Sequence, residues 1–144
     1  MFEKILYPTD FSDVARKALE YIIQLKDAGA KEVVVLHVID QRNLDALSEI
    51  QTKDVLGVIQ GIEGEAEKNA GSVRDELERL GFKAKVRVEK GNPLSEILRI
   101  EDEEKISAIV IGSHGKSNIS EMLLGSVSEK VVRKAKKPVL VVKR

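Results

Sequence analysis

The sequence predicts an α/β fold, a three-layer sandwich in which helices cover both faces of a five-stranded parallel sheet. Short apolar segments alternate with amphipathic stretches, and strands that alternate with helices favour parallel pairing with right-handed crossovers. Residues 33–36 and 109–111 are continuous apolar runs rich in β-branched residues, which is typical of strands covered on both faces. At 144 residues, we expect a single domain, 1–144, that buries roughly 70% of its unfolded surface.

The elements follow in order along the chain. Apolar residues recur at 3.6-residue spacing from Phe11 to Leu25, which predicts a first helix that Gly29 ends. A second amphipathic pattern covers residues 65–80 and stops before Gly81. The five strands are predicted at residues 4–7, 32–39, 82–89, 108–111 and 138–142.

Capping residues predict two more helices. Asn92 supplies an N-cap and Pro93 a first-turn residue for a helix to about residue 100. Ser126 with Glu129 forms a capping-box pattern for a last helix that reaches residue 134. Residues 40–69 carry three glycines between apolar and acidic patches. We interpret this region as a partly helical, mobile excursion after the second strand, not as a second domain.

Composition narrows the function classes. The formal net charge is zero, so no global field gathers nucleic acid or an anionic membrane. Aromatic residues make up 3% of the chain and tryptophan is absent, which disfavours a flavin pocket or a base-stacking platform. There is no cysteine and no apolar run of membrane-spanning length. We therefore expect a cytoplasmic protein without a signal peptide.

Charge is unevenly distributed along the sequence. Residues 101–104 are a continuous acidic run, whereas residues 130–144 hold seven basic residues and no acidic one. We interpret both segments as solvated faces.

Glycines follow the fourth predicted strand, where a ligand is expected. With strand order 3-2-1-4-5, the loops after the first and fourth strands meet at the carboxyl ends of the sheet, where such folds bind ligands. Gly112, Gly115 and Gly125 allow a backbone to approach an anion closely, and the helix start at Ser126 offers unpaired N–H groups and a favourable dipole. These features predict a phosphate site.

Two common nucleotide motifs are excluded. Gly115-Lys116-Ser117 looks like the end of a P-loop, but that motif needs a glycine at position 110, which is valine. No glycine follows the first strand, so the dinucleotide-binding fingerprint is absent as well.

The glycine spacing resembles that of ATP-binding universal stress proteins. Those proteins show a glycine, two residues, a glycine, nine residues, a glycine and then serine or threonine, as Gly112, Gly115, Gly125 and Ser126 do here. The segments at residues 8–12, 36–38 and 138–142 are also similar to the family. The likeness covers essentially all of the chain.

The resemblance implies a fold similar to the adenine nucleotide α-hydrolases and a homodimer built by antiparallel contact of the terminal strand. It implies that Asp10 lies near ribose and phosphates and that the Val38 backbone contacts and recognises adenine. It also implies that the glycine loop binds ribose and phosphates. A hydroxyl at Ser128 is expected to add a phosphate donor. Mg²⁺ is expected to be held mainly by the phosphates, with Asp10 as the protein ligand. The nucleotide-site residues that the resemblance implies are Pro8, Thr9, Asp10, Val38, Gly112, Ser113, His114, Gly115, Gly125, Ser126, Val127 and Ser128.

Several residues have a second interpretation. Asp10 or Ser12 could cap the first helix, His37 is interpreted as a hydrogen-bonded core histidine, and His114 could contact a phosphate or act as a base. The leading hypothesis is a regulatory module that binds ATP with little or no turnover. The alternative is a weak ATPase or nucleotidyl-transfer enzyme. A response-regulator receiver is disfavoured because residues 89–91 offer a poor phosphate acceptor.

Overall fold

A computed structural model describes residues 1–49, 54–114 and 125–144. Its strands are β1 Lys4–Pro8, β2 Glu32–Asp40, β3 Lys83–Gly91, β4 Ala108–Gly112 and β5 Val139–Val142. Its helices are α1 Asp13–Gln24, α2 Gln41–Glu49, α3 Val55–Arg79, α4 Pro93–Glu103 and α5 Ser126–Lys134, with a short 3₁₀ turn, Leu25–Ala28, after α1. None of the helices in these ranges is both long and apolar enough to cross a membrane.

The five strands form one parallel sheet in the order β3-β2-β1-β4-β5. The predicted strand order and the α/β fold class are thereby confirmed. Because β1 lies between β2 and β4, the loops that leave β1 and β4 lie next to each other at the carboxyl end of the sheet. The strand boundaries differ from the predicted ones by one or two residues.

Side chains alternate between two apolar cores, one on each face of the sheet. On one face, α1 and α3 pack against residues that include Ile5, Tyr7 and Val33. On the other face, α4 and α5 pack against Leu6, Val34 and their neighbours. Burial on both faces explains why the inner strands have no polar alternation in sequence.

The region after β2 is more helical than predicted. Helix α2 begins immediately after β2, and α3 begins at Val55, ten residues before the predicted start. Asp54 caps α3 by accepting a hydrogen bond from the Gly57 N–H at 2.9 Å. Ile59 and Ile62 then pack against a small cluster that contains Leu44. This tertiary packing offsets the low helix propensity of the glycines in α3.

The acidic run at residues 101–104 is not a uniformly solvated face, which corrects the sequence interpretation. Glu101 is 3% exposed, and its carboxylate accepts hydrogen bonds from the backbone N–H groups of Lys136 and Lys137. Glu104 lies against Lys85 and Arg87, with nitrogen to oxygen distances of 2.7 and 3.1 Å. Both carboxylates are positioned by groups distant in sequence.

Candidate functional site

Gly112, the last residue of β4, lies directly beneath the first turn of α1. A Cβ atom at this position would be 2.8 Å from Val14 Cγ1 and 3.2 Å from the Val14 carbonyl carbon. The absence of a side chain therefore allows α1 to pack against the end of β4. Gly112 is required for contact within the protein, in addition to any role toward a ligand.

Ser113 joins three elements at the end of β4. Its backbone N–H donates to the carbonyl oxygen of Val142 at 2.8 Å, which ties it to the end of β5. Its own carbonyl oxygen accepts from the Gly125 N–H at 2.6 Å and from the Ser128 hydroxyl at 2.7 Å. With 1% exposure, Ser113 is a buried junction that fixes where α5 begins.

The N-cap of α5 is Gly125, with no side-chain cap, so the predicted capping role of Ser126 is wrong. A Cβ atom on Gly125 would be 3.0 Å from the Ser113 carbonyl oxygen, so a larger residue would push the helix start away from β4. The Gly125 N–H is already bonded. Helix geometry leaves the next N–H groups, those of Ser126, Val127 and Ser128, without intrahelical acceptors.

The Ser128 hydroxyl does not have the role expected from the sequence. Ser128 is 3% exposed, and its Oγ donates its hydrogen to the carbonyl oxygens of Ser113 and Gly125 at 2.7 and 3.0 Å. A phosphate could not receive that hydrogen without breaking these bonds. The side chain holds the helix start in place, and only its backbone N–H is left as a donor.

The loop from β1 to α1 is built from three successive bonds between side chains and backbone. Thr9 Oγ1 accepts from the Phe11 N–H at 3.0 Å, and Asp10 Oδ1 accepts from the Ser12 N–H at 3.0 Å. Ser12 Oγ accepts from the Ala15 N–H at 3.3 Å and is the N-cap of α1. Of the two predicted caps, Ser12 is therefore correct. Asp10 shapes the turn before the helix.

Tyr7 and Phe11 support this loop, although the sequence did not single out Tyr7 and wrongly assigned Phe11 to the first helix, which begins at Asp13. The Tyr7 hydroxyl donates to the carbonyl oxygen of Ala15, which anchors the first turn of α1 to the sheet. Burial disfavours the phenolate and raises the pKa of Tyr7 to about 12. Phe11 has a φ of 63°, and no sequence signal marks that conformation because the left-handed region disfavours bulky side chains.

Val38 lies on β2 two residues beyond Leu36, which pairs with the last residue of β1. The Thr9 N–H donates to the carbonyl oxygen of Leu36, so Leu36 directs its backbone groups toward β1. Backbone direction alternates along a strand, and Val38 therefore directs its N–H and C=O to the same side. Strand β1 has ended at Pro8, so these groups point toward the space above it.

His37, next to Val38, is half-buried, and its Nδ1 lies 2.8 Å from the carbonyl oxygen of Thr9. This bond confirms that His37 is hydrogen-bonded, whereas its half-buried position differs from that of the core histidine expected from the sequence. His114 Nδ1 lies 2.8 Å from Ser113 Oγ, whereas His114 Nε2 is buried with no hydrogen-bond partner in the described part of the chain. Gly115 and Lys116 lie outside the described residues.

Comparison with known proteins places this arrangement in a family. The model of the universal stress protein family matches residues 1–143. The chain belongs to the universal stress protein family. It is similar to the universal stress protein MJ0577 of Methanocaldococcus jannaschii, with 41% identity over an aligned length of 162. The alignment covers 100% of this chain and 96% of the relative. It is also similar to the universal stress protein YxiE of Bacillus subtilis, with 31% identity over 99% of this chain and 100% of the relative.

Solved structures agree with this assignment. The structure of MJ0577 superposes with a TM-score of 0.88 and 44% identity, covering 100% of this chain and 97% of that one. A universal stress protein in complex with cAMP shares the fold, with a TM-score of 0.66 and 24% identity over 99% and 97% of the two chains. So does a family member from Arabidopsis thaliana with AMP bound, with a TM-score of 0.70 and 16% identity over 98% and 91%. At these identities the last two comparisons establish the fold alone.

Proposed function

We propose that this universal stress protein is a single domain, 1–144, that binds an adenine nucleotide, preferably ATP, at the carboxyl end of its sheet. The observation that carries the proposal is the start of α5. Three consecutive N–H groups, from Ser126 to Ser128, lie without intrahelical acceptors next to Ser113. The helix dipole adds a partial positive charge there. Phosphate oxygens suit these donors in both geometry and charge.

The other half of the proposed site lies across the end of β1. The carboxylate of Asp10 belongs to a hydrogen-bonded turn that follows β1, and we propose that it accepts hydrogen bonds from the ribose hydroxyls. The N–H and C=O of Val38 supply one donor and one acceptor, the pair that an adenine edge requires. Pro8, Thr9, Gly112 and His114 complete the proposed lining, and the predicted Gly115 contact is part of the same proposal. Proteins of this fold that hold cAMP or AMP are consistent with an adenine ligand.

Mg²⁺ would enter this site with the nucleotide. Among the described residues, no three His, Asp or Glu side chains come together as a ready metal site. Asp10 offers a carboxylate oxygen of the kind Mg²⁺ prefers, and phosphate oxygens and water would supply the other ligands. When bound, the ion would neutralise phosphate charge next to the α5 N–H groups.

We propose that the protein is a cytoplasmic regulatory module. ATP turnover is then expected to be slow or absent. Phosphate transfer needs a cation aimed at the developing charge and a positioned base. The described segments of the site, residues 8–12, 112–114 and 125–128, contain no lysine or arginine, and Lys116 is the one lysine or arginine in the sequence of residues 112–128. Phosphate release should therefore stay far below the ~10 s⁻¹ typical of enzymes. Turnover near that rate, lost on changing Asp10 or His114, would favour the ATPase alternative.

Two measurements test nucleotide binding. Mass spectrometry of the purified, denatured protein should detect ATP, ADP or AMP carried through purification. Calorimetric titration of nucleotide-free protein should give saturable binding of ATP with one site per chain, tighter than binding of GTP. Absence of any nucleotide, together with no heat of ATP binding, would contradict the proposal.

The same chain is proposed to form a homodimer through β5. Strand β5 is an edge of the sheet, and its four residues are all leucine or valine. Leu140 on β5 is 40% exposed and Val132 on α5 is 45% exposed. The opposite edge strand, β3, carries Lys83, Lys85 and Arg87, which oppose pairing with a second copy. Antiparallel pairing of two β5 strands would cover the apolar edge.

Sedimentation velocity tests the dimer. Leu140→Lys should convert a dimer to a monomer at micromolar concentration, because it places a charge in the middle of the proposed interface. Leu56→Lys is the matched control, since Leu56 is 75% exposed on α3. A wild-type monomer, or equal dissociation in both variants, would place the interface elsewhere or exclude it.

A further inference from the structure

His37 contacts two parts of the β1 to α1 loop at once. Its Nδ1 lies 2.8 Å from the carbonyl oxygen of Thr9. Its ring lies against the ring of Phe11, with centroids 4.8 Å apart and planes tilted by 32°. A strand residue therefore holds both the start and the middle of a loop that leaves the neighbouring strand.

The hydrogen bond defines how the imidazole is protonated. A carbonyl oxygen can only accept, so the contact with Thr9 requires Nδ1 of His37 to carry the hydrogen. The Thr9 N–H already completes the last ladder bond to Leu36, at 2.9 Å. Where β1 leaves the sheet, the next bond between β2 and the chain after β1 is thus made by the side chain of His37 and the carbonyl oxygen of Thr9.

The loop needs such support because Phe11 has an unfavourable backbone. Its φ of 63° lies in the left-handed region, where a bulky side chain is an outlier that its surroundings must enforce. Thr9 Oγ1 holds the Phe11 N–H at 3.0 Å, and the His37 ring holds the Phe11 side chain. Asp10 lies between these two anchored residues, so its direction depends on both.

We propose that His37 is a positioning residue, which fixes the loop around Asp10 in its nucleotide-binding conformation by donating to Thr9 and packing against Phe11. The proposal rests on the nucleotide-binding function proposed above. His37 would act through the loop, without contact to the ligand. Its neighbour Val38 presents backbone groups to the same space, so one short segment of β2 would align both the adenine and the ribose sides of the site.

Two substitutions separate the hydrogen bond from general packing. His37→Asn keeps an N–H donor close to the position of Nδ1, whereas His37→Leu keeps apolar contact with Phe11 and removes the donor. Ile39→Val is the matched control, because Ile39 is a buried residue of the same strand whose cluster differs from the one that Phe11 packs against. Each variant is titrated with ATP and unfolded in urea.

We expect His37→Leu to weaken ATP binding about tenfold, His37→Asn to stay within about threefold of wild type, and Ile39→Val to bind as wild type. The rescue by asparagine is a result that a merely structural role would not give. Equal affinities in wild type and His37→Leu, or equal losses in the leucine and asparagine variants, would overturn the proposal.

Two further measurements do not depend on ATP. In His37→Leu, the Phe11 and Ser12 amide hydrogens should exchange about tenfold faster than in wild type, and in His37→Asn they should not. Nitrogen NMR of the wild-type imidazole should show the hydrogen on Nδ1. If wild type fails to bind ATP, the proposed function fails while these results still decide the role of His37. Unchanged exchange in His37→Leu, or an unprotonated Nδ1, would overturn it.

Discussion

The two ends of the parallel sheet are built from different chemistry. At the amino end, Lys4 lies 3.4 Å from Glu104 and 3.8 Å from Glu32, and Lys85 lies 2.7 Å from Glu104. At the carboxyl end, the corresponding contacts are made by hydroxyls, carbonyls and amide groups around Ser113 and Thr9. The contrast holds around β1 and β4, where the amino end is closed by pairs of opposite charge and the carboxyl end is assembled from backbone and small side chains. The carboxyl ends of β2 and β3, away from Ser113, carry ion pairs of their own, Asp40 with Arg42 and Lys90 with Glu63.

This difference predicts that the two ends contribute differently to the free energy of unfolding and to ATP affinity. Charges that neutralise one another leave little field to attract a ligand, whereas the N–H groups at the start of α5 have no partner within their helix. Substitutions at the amino end should therefore change the free energy of unfolding and leave ATP affinity unchanged. Substitutions at the carboxyl end should change affinity, and those at its tightest contacts should change stability as well.

The largest expected effect on stability is at Gly112. Gly112→Ala should lower the free energy of unfolding by about 2 to 3 kcal/mol, because the added Cβ would stand 2.8 Å from Val14 Cγ1. Gly61→Ala is the control, since its Cβ would meet nothing within 4 Å and a helical alanine should be neutral or stabilising. Urea denaturation measures both. If the cost of Gly112→Ala is the same in a Val14→Ala background, the contact with Val14 Cγ1 is not its cause.

The next largest expected effect on stability is at Glu101, whose carboxylate binds the turn before β5 at the amino end of the sheet. Glu101→Ala should lower the free energy of unfolding by about 2 kcal/mol, because the backbone N–H groups of Lys136 and Lys137 would lose their hydrogen-bond acceptor. Glu101→Gln keeps one acceptor oxygen and should cost less. Asp102→Ala, at a carboxylate 60% exposed, should cost little. Comparable losses at positions 101 and 102 would show that the buried carboxylate has no special role.

The smallest expected effect is a pH dependence from Glu104. The hydrogen bond from Lys85 is the main cause that lowers the pKa of Glu104 to about 2. The pKa of Glu104 in the folded protein lies below the ordinary value of about 4.3. Glu104 therefore stabilises the folded state fully above about pH 4.3, and this stabilisation is lost as the pH falls toward 2. Glu104→Gln should cost about 1 kcal/mol at pH 7, since Lys85 is 60% exposed.

Urea denaturation at pH 7 and pH 3 measures this pH dependence. The difference in stability between wild type and Glu104→Gln should be smaller at pH 3 than at pH 7. Glu67→Gln, at an exposed position of α3, is the control and should follow wild type at both values. A constant difference between wild type and Glu104→Gln would contradict the ion-pair explanation.

Sequence reasoning found the sheet because its signals are local. The β-branched runs of β2 and β4 and the Asn92 cap of α4 depend on neighbouring residues, and Asn92 Oδ1 does accept from the Ser95 N–H at 3.0 Å. The start of α3 was missed because Gly57 and Gly61 lower helix propensity, while the packing that restores the helix comes from distant elements.

The same distinction applies to the site. The glycine spacing drew attention to the loop after β4, but it could not show that Gly112 packs under α1 or that the Ser128 hydroxyl donates to the Ser113 carbonyl oxygen. Glu101 looked like part of a solvated acidic run, since its partners lie about 35 residues further along the chain. His37 could be recognised as a hydrogen-bonded histidine, whereas its contact with Phe11 depends on a backbone conformation that no sequence pattern marks.

The most direct test compares a variant that lacks one proposed backbone phosphate donor with a variant that keeps it. Ser126→Pro deletes a backbone N–H at the first position of α5, where helices accept proline. Gly125, with φ of −64° and ψ of 155°, already has the extended backbone that a residue before proline prefers. Ser126→Ala keeps the N–H and removes only the hydroxyl. Circular dichroism and urea denaturation serve as the folding controls for both variants.

Calorimetric titration with ATP then gives the decisive comparison. We expect Ser126→Pro to weaken binding about tenfold to a hundredfold, as loss of one hydrogen bond to a charged group would, and Ser126→Ala to bind within about threefold of wild type. Wild-type affinity in Ser126→Pro, or equal losses in the proline and alanine variants, would contradict a phosphate site made by the backbone at the start of α5.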